Sequence, residues 1–420
     1  MALPATPHAE LDPPEQRRLG ALADRVGRSA LILGVVGLAA MALLALVGGD
    51  FAGRRVLFAY LANFAFVLSL SLGALLFVMV HHLCRTGTVT NYRRLGEIVA
   101  GALPWVVLMG LPILLFATQL YRWSWAAGDP IIAEKKPWLD LSTWLPRMAI
   151  YFIIFALLGW YFLSRSKMQD QTARPMLTAR LGAAAAPGTL LYAMAITFLA
   201  FDMLMSLDAH WFSTIFGVYY FAGAFMGFHA LLAVMIHRLQ DHGYVRKVIN
   251  AEHYHDIGKM LFAFVVFWAY IAFSQYMLIW YANLPEETVW YIRHGAGLAA
   301  GQPNPFSWLL LALLVGHFVV PFVGLISRTP KRNIRTLAKW GLFLLFMHWL
   351  DMIWLVRPEL RSADGLTTIA LNWVDAAALL AGLLALGGLF VAAVMKTAAG
   401  VSLVAEQDPR LHEALAFENF

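Results

Sequence analysis

Charge and cysteine are what this sequence has least of. Only 13% of its 420 residues are charged and 60% are hydrophobic, with a mean hydropathy of +0.67. Soluble domains carry roughly 25% charged residues, so the composition is that of a membrane protein. The single cysteine, Cys84, is too few for iron–sulfur ligation, a structural thiolate zinc site or an internal disulfide. No Cys-x-x-Cys-His run occurs, so no covalently attached haem belongs to this chain. The net charge of +6 comes from loop arginines and lysines, and nucleic acid is not an expected partner. Residues 1–28 are polar, with Arg17, Arg18, Arg25 and Arg28 ahead of the first apolar run. That run lacks a small-residue cleavage site and predicts a retained helix, not a signal peptide.

Long apolar runs are abundant. A membrane-crossing helix needs about 20 mostly apolar residues. Ten segments qualify, near 29–47, 56–80, 98–120, 146–163, 187–207, 212–236, 257–283, 306–326, 338–356 and 371–395. The first and last are the most purely aliphatic and read as peripheral packing helices. Of the 31 Lys and Arg residues, 22 fall on the side of the two termini, which places both termini in the cytoplasm by the positive-inside rule. Trp123, Trp125, Trp138, Trp144, Trp211, Trp280 and Trp290 fall at the opposite ends and predict an interfacial belt there.

Segments 2–5 and 6–9 resemble each other. Val78-Met79-Val80-His81-His82-Leu83 and Val234-Met235-Ile236-His237-Arg238-Leu239 end the second and sixth segments, and at the same offset Gln119 matches Gln275. Phe201-Asp202-Met203-Leu204 and Leu350-Asp351-Met352-Ile353 then occupy the fourth segment of each set. An offset of four helices preserves direction, so the pattern predicts two parallel-repeat four-helix bundles plus two peripheral helices in an all-α polytopic fold. The divisions are a cytoplasmic segment at 1–28, a peripheral helix and loop at 29–55, one bundle at 56–210 and a second at 211–357. A tenth helix at 358–395 and a cytoplasmic tail at 396–420 complete the chain.

Asp202 and Asp351 are the leading functional candidates. A carboxylate inside an apolar segment costs several kcal/mol unless it faces a cavity or a partner. Both are placed in the outer half of the bilayer. His348 precedes Asp351 by three residues and shares its helical face, and such a pair can share a proton. The alternative is helix–helix hydrogen bonding, with Asp202 the more structural copy. Ser274, Gln275 and Tyr281 form a candidate polar stripe, as a relay or the wall of a quinone-head pocket. On the inner side His229, His237, His253, His255, Asp256 and Lys259 form a candidate proton-uptake group, against which stands a solvated loop with ordinary helix-start charges. A bis-histidine haem on His317 and His348 needs facing rings at matched depth and is disfavoured.

Phe201-Asp202-Met203-Leu204-Met205-Ser206-Leu207-Asp208-Ala209-His210-Trp211 and its continuation to Tyr219 resemble the F-type membrane subunits of bacterial alternative complex III. So do Tyr254-His255-Asp256-Ile257-Gly258-Lys259, and the stretch from Phe267-Trp268-Ala269-Tyr270 through Ser274-Gln275-Tyr276 to Trp280-Tyr281-Ala282-Asn283-Leu284-Pro285. These subunits belong to the polysulfide-reductase-type, NrfD-like membrane proteins. The resemblance implies a subunit, without covalent or metal-held cofactors, of a quinol:cytochrome c-type oxidoreductase in the bacterial inner membrane. It implies as partners a related ten-helix quinol-binding subunit, an iron–sulfur subunit, c-type cytochrome subunits and small membrane subunits, with haem and iron–sulfur clusters on the partners and quinol as a possible ligand. It also implies two proton half-channels built from Asp202, Asp351, His348 and the inner group of histidines with Asp256 and Lys259. Two alternatives stay open, that this chain itself binds quinol and that it is a non-catalytic anchor. A secondary transporter is disfavoured because the repeat is parallel and mid-span Gly/Pro breaks are few.

Overall fold

The sequence folds into ten helices long and apolar enough to cross a membrane, so the protein is an all-α polytopic membrane protein. A computed structural model describes residues 11–49, 51–126, 128–297, 301, 304–362 and 368–418. The first ten residues of the expected N-terminal segment and the last two of the tail lie outside them. The spans are α1 Ala21–Val47, α2 Ala52–Leu83, α3 Thr90–Leu115, α4 Leu141–Thr172, α5 Met176–Leu207, α6 Phe216–Asp241, α7 Ala251–Ala282, α8 Pro305–Leu325, α9 Ile334–Glu359 and α10 Trp373–Ala398.

Helices α2 and α6, the first members of the two proposed repeats, are the most buried spans and pack on each other. A helix apolar on all sides belongs in the middle of a bundle. Around them α2 meets α3, α5, α9 and α10, while α6 meets α5, α7 and α9. Helices α1 and α10 pair at the edge, where a Cβ on Gly37 would come 2.4 Å from the Ala385 nitrogen. Small residues at such a crossing let backbones approach and gain dispersion contact, the main adhesive between helices in lipid. The starts of α7, α8, α9 and α10 share one device: Asn250, Asn304, Asn333 and Asn372 each accept a backbone N–H of the first turn.

Two spans depart from the expected straight segments. Helix α3 starts at Thr90, eight residues before the apolar run, because its charges neutralise one another. Arg93 and Arg94 donate to Glu97 at 2.9 and 2.8 Å, Asp408 of the tail lies 2.7 Å from Arg93, and Asp170 lies 2.8 Å from Arg94. Higher up, α3 is divided into Thr90–Gly101, Leu103–Leu108 and Leu111–Leu115, with Pro104 and Pro112 at the starts of the later pieces. The Tyr60 hydroxyl donates to the Met109 carbonyl at the second break, at 2.7 Å. Helix α8 holds a π-helical turn, Leu313–Val319, around His317; π-turns are frequent at functional sites.

The expected tryptophan belt is only partly one. Trp125, Trp138 and Trp280 are exposed, but Trp123, Trp144, Trp211 and Trp290 are buried, Trp211 stacked on Trp290 at 4.1 Å. They pack the loops at this end of the bundle instead of anchoring in lipid. Gln119 and Gln275 also diverge, the first exposed and the second buried.

Candidate functional site

The two aspartates occupy different environments. Asp202 stands near the end of α5, one residue before the regular helix Met176–Met203 ends. Its carboxylate is saturated: Arg147 donates to both oxygens at 2.9 and 3.0 Å, the Trp138 indole at 2.8 Å and the Tyr151 hydroxyl at 3.0 Å. Its backbone carbonyl accepts from Trp144 and Ser206. A fully paired and hydrogen-bonded carboxylate holds loops and helix ends together.

Asp351 lies inside α9, fully buried. Tyr219 of α6 donates to Oδ1, while Oδ2 accepts no hydrogen bond of ordinary geometry and faces His348 Nδ1 at 3.9 Å, with the Trp268 indole also directed at the carboxylate. Among the described residues no lysine or arginine pairs with it. On the other side of its ring, His348 Nε2 is 2.8 Å from Ser69 Oγ of α2. Ser69 gives its single hydroxyl proton to the Phe66 carbonyl at 2.6 Å, so its oxygen accepts from His348 Nε2–H. That assignment leaves Nδ1 as the acceptor facing Asp351. Space for the ring comes from α6: a Cβ on Gly223 would lie 2.8 Å from His348 Cε1, and one on Gly227 3.0 Å from Cδ2. Tyr219, Gly223 and Gly227 sit at four-residue spacing on one face of α6.

His317 adjoins this cluster, its ring 3.9 Å from that of Trp268 and 6.2 Å from that of His348, with both nitrogens buried and unpartnered. With His348 directed at Ser69 and Asp351, the two histidines do not present nitrogens to a shared axial position. Among the described residues no group of three or more His, Cys, Asp or Glu is placed to hold a metal ion.

A lipid-facing cavity of about 680 Å³ borders the cluster through Tyr219 and Trp268 and is otherwise mostly apolar. Gln275 lines it, accepting from Ser213 at 2.9 Å and donating to Tyr291 at 3.0 Å. The expected stripe of Ser274, Gln275 and Tyr281 does not form. Tyr281 is 84% exposed at the end of α7, and Ser274 is absent from the cavity wall, whereas Gln275 faces inward. Ser274 and Tyr281, seven residues apart, share one face, while the turn of about 100° per residue puts Gln275 on another. The polar partners of Gln275 come from other segments.

The inner histidines are also dispersed. His253 is a helix cap, its Nδ1 accepting the Asn250 N–H at 3.2 Å and its Nε2 lying 2.9 Å from Asn91 and 3.0 Å from the Ala414 carbonyl. His237 pairs with Asp241 at 3.4 Å and Asp256 with Lys259 at 3.1 Å, while His255 is buried with Nδ1 unpartnered. His229 bonds the Phe225 carbonyl at 2.8 Å among Phe77, Phe225, Phe228 and Phe264. Tyr92 leads toward it from Asp256, donating at 3.4 Å and touching Phe77. No described hydrogen bond links His229 to His348.

Outside the spans, Asp208 binds Arg293 at 2.8 Å, Arg361 at 3.1 Å and His210 at 3.6 Å. Burial pushes its carboxyl upward, but His210, Arg361 and Arg293 together hold it well below the usual range. His210, beside Asp208 and 2.8 Å from Asp129, is raised above the ordinary imidazole value, chiefly by its bond to Asp208.

Compared with protein families and with curated proteins, the sequence finds no match in either.

Proposed function

We propose that this chain is a membrane subunit of a quinol:cytochrome c-type oxidoreductase in the bacterial inner membrane, with both termini cytoplasmic, and that it conducts protons through Asp351. The observation that carries the proton-conducting role is the contrast between the aspartates. Asp202 is paired with Arg147, whereas Asp351 has no cationic side chain beside it among the described residues and stands with one oxygen 3.9 Å from His348 Nδ1. Proton exchange needs a group that changes charge without rupturing an ion pair, and the Ser69–His348–Asp351–Tyr219 cluster meets that need. Moving one charge against 100 mV takes about 2.3 kcal/mol, within the range that a changed hydrogen-bond pattern at a buried pair supplies. The redox setting rests on the resemblance of residues ~200–290. The partners are then the related ten-helix quinol-binding subunit, the iron–sulfur subunit and the c-type cytochromes.

The test is Asp351→Asn in the assembled complex in sealed vesicles, with quinol turnover and proton yield measured together. Proton yield is expected to collapse while turnover persists, and an undiminished yield would reject the reading. A second reading, that quinol binds this chain, is favoured by the cavity beside Tyr219 and Trp268. Under it the same substitution lowers turnover or inhibitor affinity. Normal turnover and yield in both Asp202→Asn and Asp351→Asn would leave an anchor.

A further inference from the structure

A second large groove lies on the opposite edge of the molecule, between α1, α10 and the broken middle of α3, with a volume of about 840 Å³. Along it α3 is broken before Leu103 and again before Leu111, and Tyr60 satisfies the carbonyl of Met109 at the second break. The groove is apolar along most of its length, with Leu31, Leu38, Leu108, Leu111 and Leu389 among its walls.

Its charge is confined to one end. The glycine contacts fix the register of the antiparallel pair: a Cβ on Gly27 meets Met395, one on Gly34 meets Leu389 and one on Gly37 meets Ala385. Arg28 and Lys396 therefore stand at the same level, on the side of the chain termini. Both are exposed, neither forms an ion pair with a described residue, and Lys396 Nζ lies 3.8 Å over the Trp105 ring. Asp24 also lines this end, so the three groups leave one net positive charge. From Arg28 to Leu38 the groove follows α1 for ten residues, about 15 Å, which is half of a ~30 Å hydrocarbon core.

We propose that this groove is a binding site for an anionic glycerophospholipid of the leaflet on the side of the termini, its phosphate between Arg28 and Lys396 and its acyl chains along the leucine-lined walls. Two cations without ion-pair partners at headgroup level, above an apolar channel one leaflet deep, match the charge and length of that ligand. Trp105 supplies the amphipathic ring that sits well at a headgroup boundary and holds the lysine in place.

The full chain, in its complex, is stripped of lipid in detergent and titrated with phosphatidylglycerol and with phosphatidylcholine of identical acyl chains. Retained lipid is counted by native mass spectrometry. One phosphatidylglycerol is expected to be retained with roughly thirtyfold preference, the scale of two basic residues at a membrane surface. Arg28→Gln combined with Lys396→Gln is expected to erase the preference, and Lys396→Arg to keep it. Leu38→Trp fills the far end of the groove, ten residues from Arg28, and is expected to remove the retained lipid of either headgroup. Equal retention of the two lipids, an unchanged preference in the double glutamine variant, or crosslinking from Leu389 to another protein helix instead of lipid would overturn the proposal.

Discussion

Ser69 Oγ and His348 Nε2 meet at 2.8 Å, joining α2 to α9 in the fully buried centre of the molecule. The bond ties the tautomer of His348 to a serine of α2, so the acceptor nitrogen beside Asp351 is set from 279 residues away. Ser69→Ala frees that choice. Proton yield is expected to fall severalfold with helix content and complex assembly intact, read by vesicle acidification against circular dichroism. An unchanged yield would place Ser69 outside the path.

Gly223 makes room for the same ring. Gly223→Ala puts a methyl 2.8 Å from His348 Cε1, inside van der Waals contact, so ring or helix must move. Overpacking of this kind costs about 1–3 kcal/mol. A lowered melting temperature and a reduced proton yield are expected together. Gly387→Ala, whose Cβ meets nothing within 4 Å, is the control expected to change neither.

Arg147 and Asp202 behave as a structural pair. Arg147→Gln strands a buried carboxylate, and a loss on the order of 2–3 kcal/mol is expected, below the ~3–5 of a wholly buried pair because Arg147 keeps some solvent contact. Combining it with Asp202→Asn removes the unpaired charge, so the double variant is expected to be more stable than Arg147→Gln alone. Thermal unfolding of all four proteins measures the coupling.

The Asp208–His210 cluster gives the loops at this end a pH window. Asp208 titrates below its ordinary value, so its contribution is full above about pH 4 and is lost as pH falls through its depressed native value. His210 is raised, so its contribution is full below about pH 6.5 and is lost as pH rises through the elevated native value. Protection of this region from proteolysis is expected to be greatest between those limits. His210→Gln is expected to remove the alkaline limb and, because His210 helps hold Asp208 low, to weaken the acid limb as well.

Tyr281 and Tyr291 separate two readings of α7. Tyr281→Phe, at an 84% exposed side chain, is expected to leave turnover and proton yield unchanged. Tyr291→Phe removes the acceptor of Gln275 at 3.0 Å and is expected to loosen the cavity wall, seen as altered inhibitor affinity if quinol enters there.

The ten spans are legible because hydropathy sums over twenty residues, and the pairing of His348 with Asp351 because a three-residue spacing on a helix is local. The partners of those residues are not. Nothing near Ser69 or Tyr219 says which helix each will face, and Arg147 is 55 residues from Asp202. The glycines at 223 and 227 were the available hint, since such spacing in an apolar helix announces a close neighbour. Arg93, Arg94 and Glu97 misled for the opposite reason: hydropathy counts each charge alone, while the fold counts the neutralised group. The inner histidines share a composition but not a place, because loop residues are distributed by the helices that carry them.

The grip of Asp408 on Arg93 has a temporal side. The two residues are separated by 315 positions, and Arg17 and His253 also close onto the same terminal stretch, through Glu406 and the Ala414 carbonyl. Helix α3 is synthesised early, yet Arg93 acquires its second carboxylate only after some 315 further residues have been made. Until then the Thr90 end of α3 is an unfinished joint, and the stretch from Glu406 to Ala414 is what seals it.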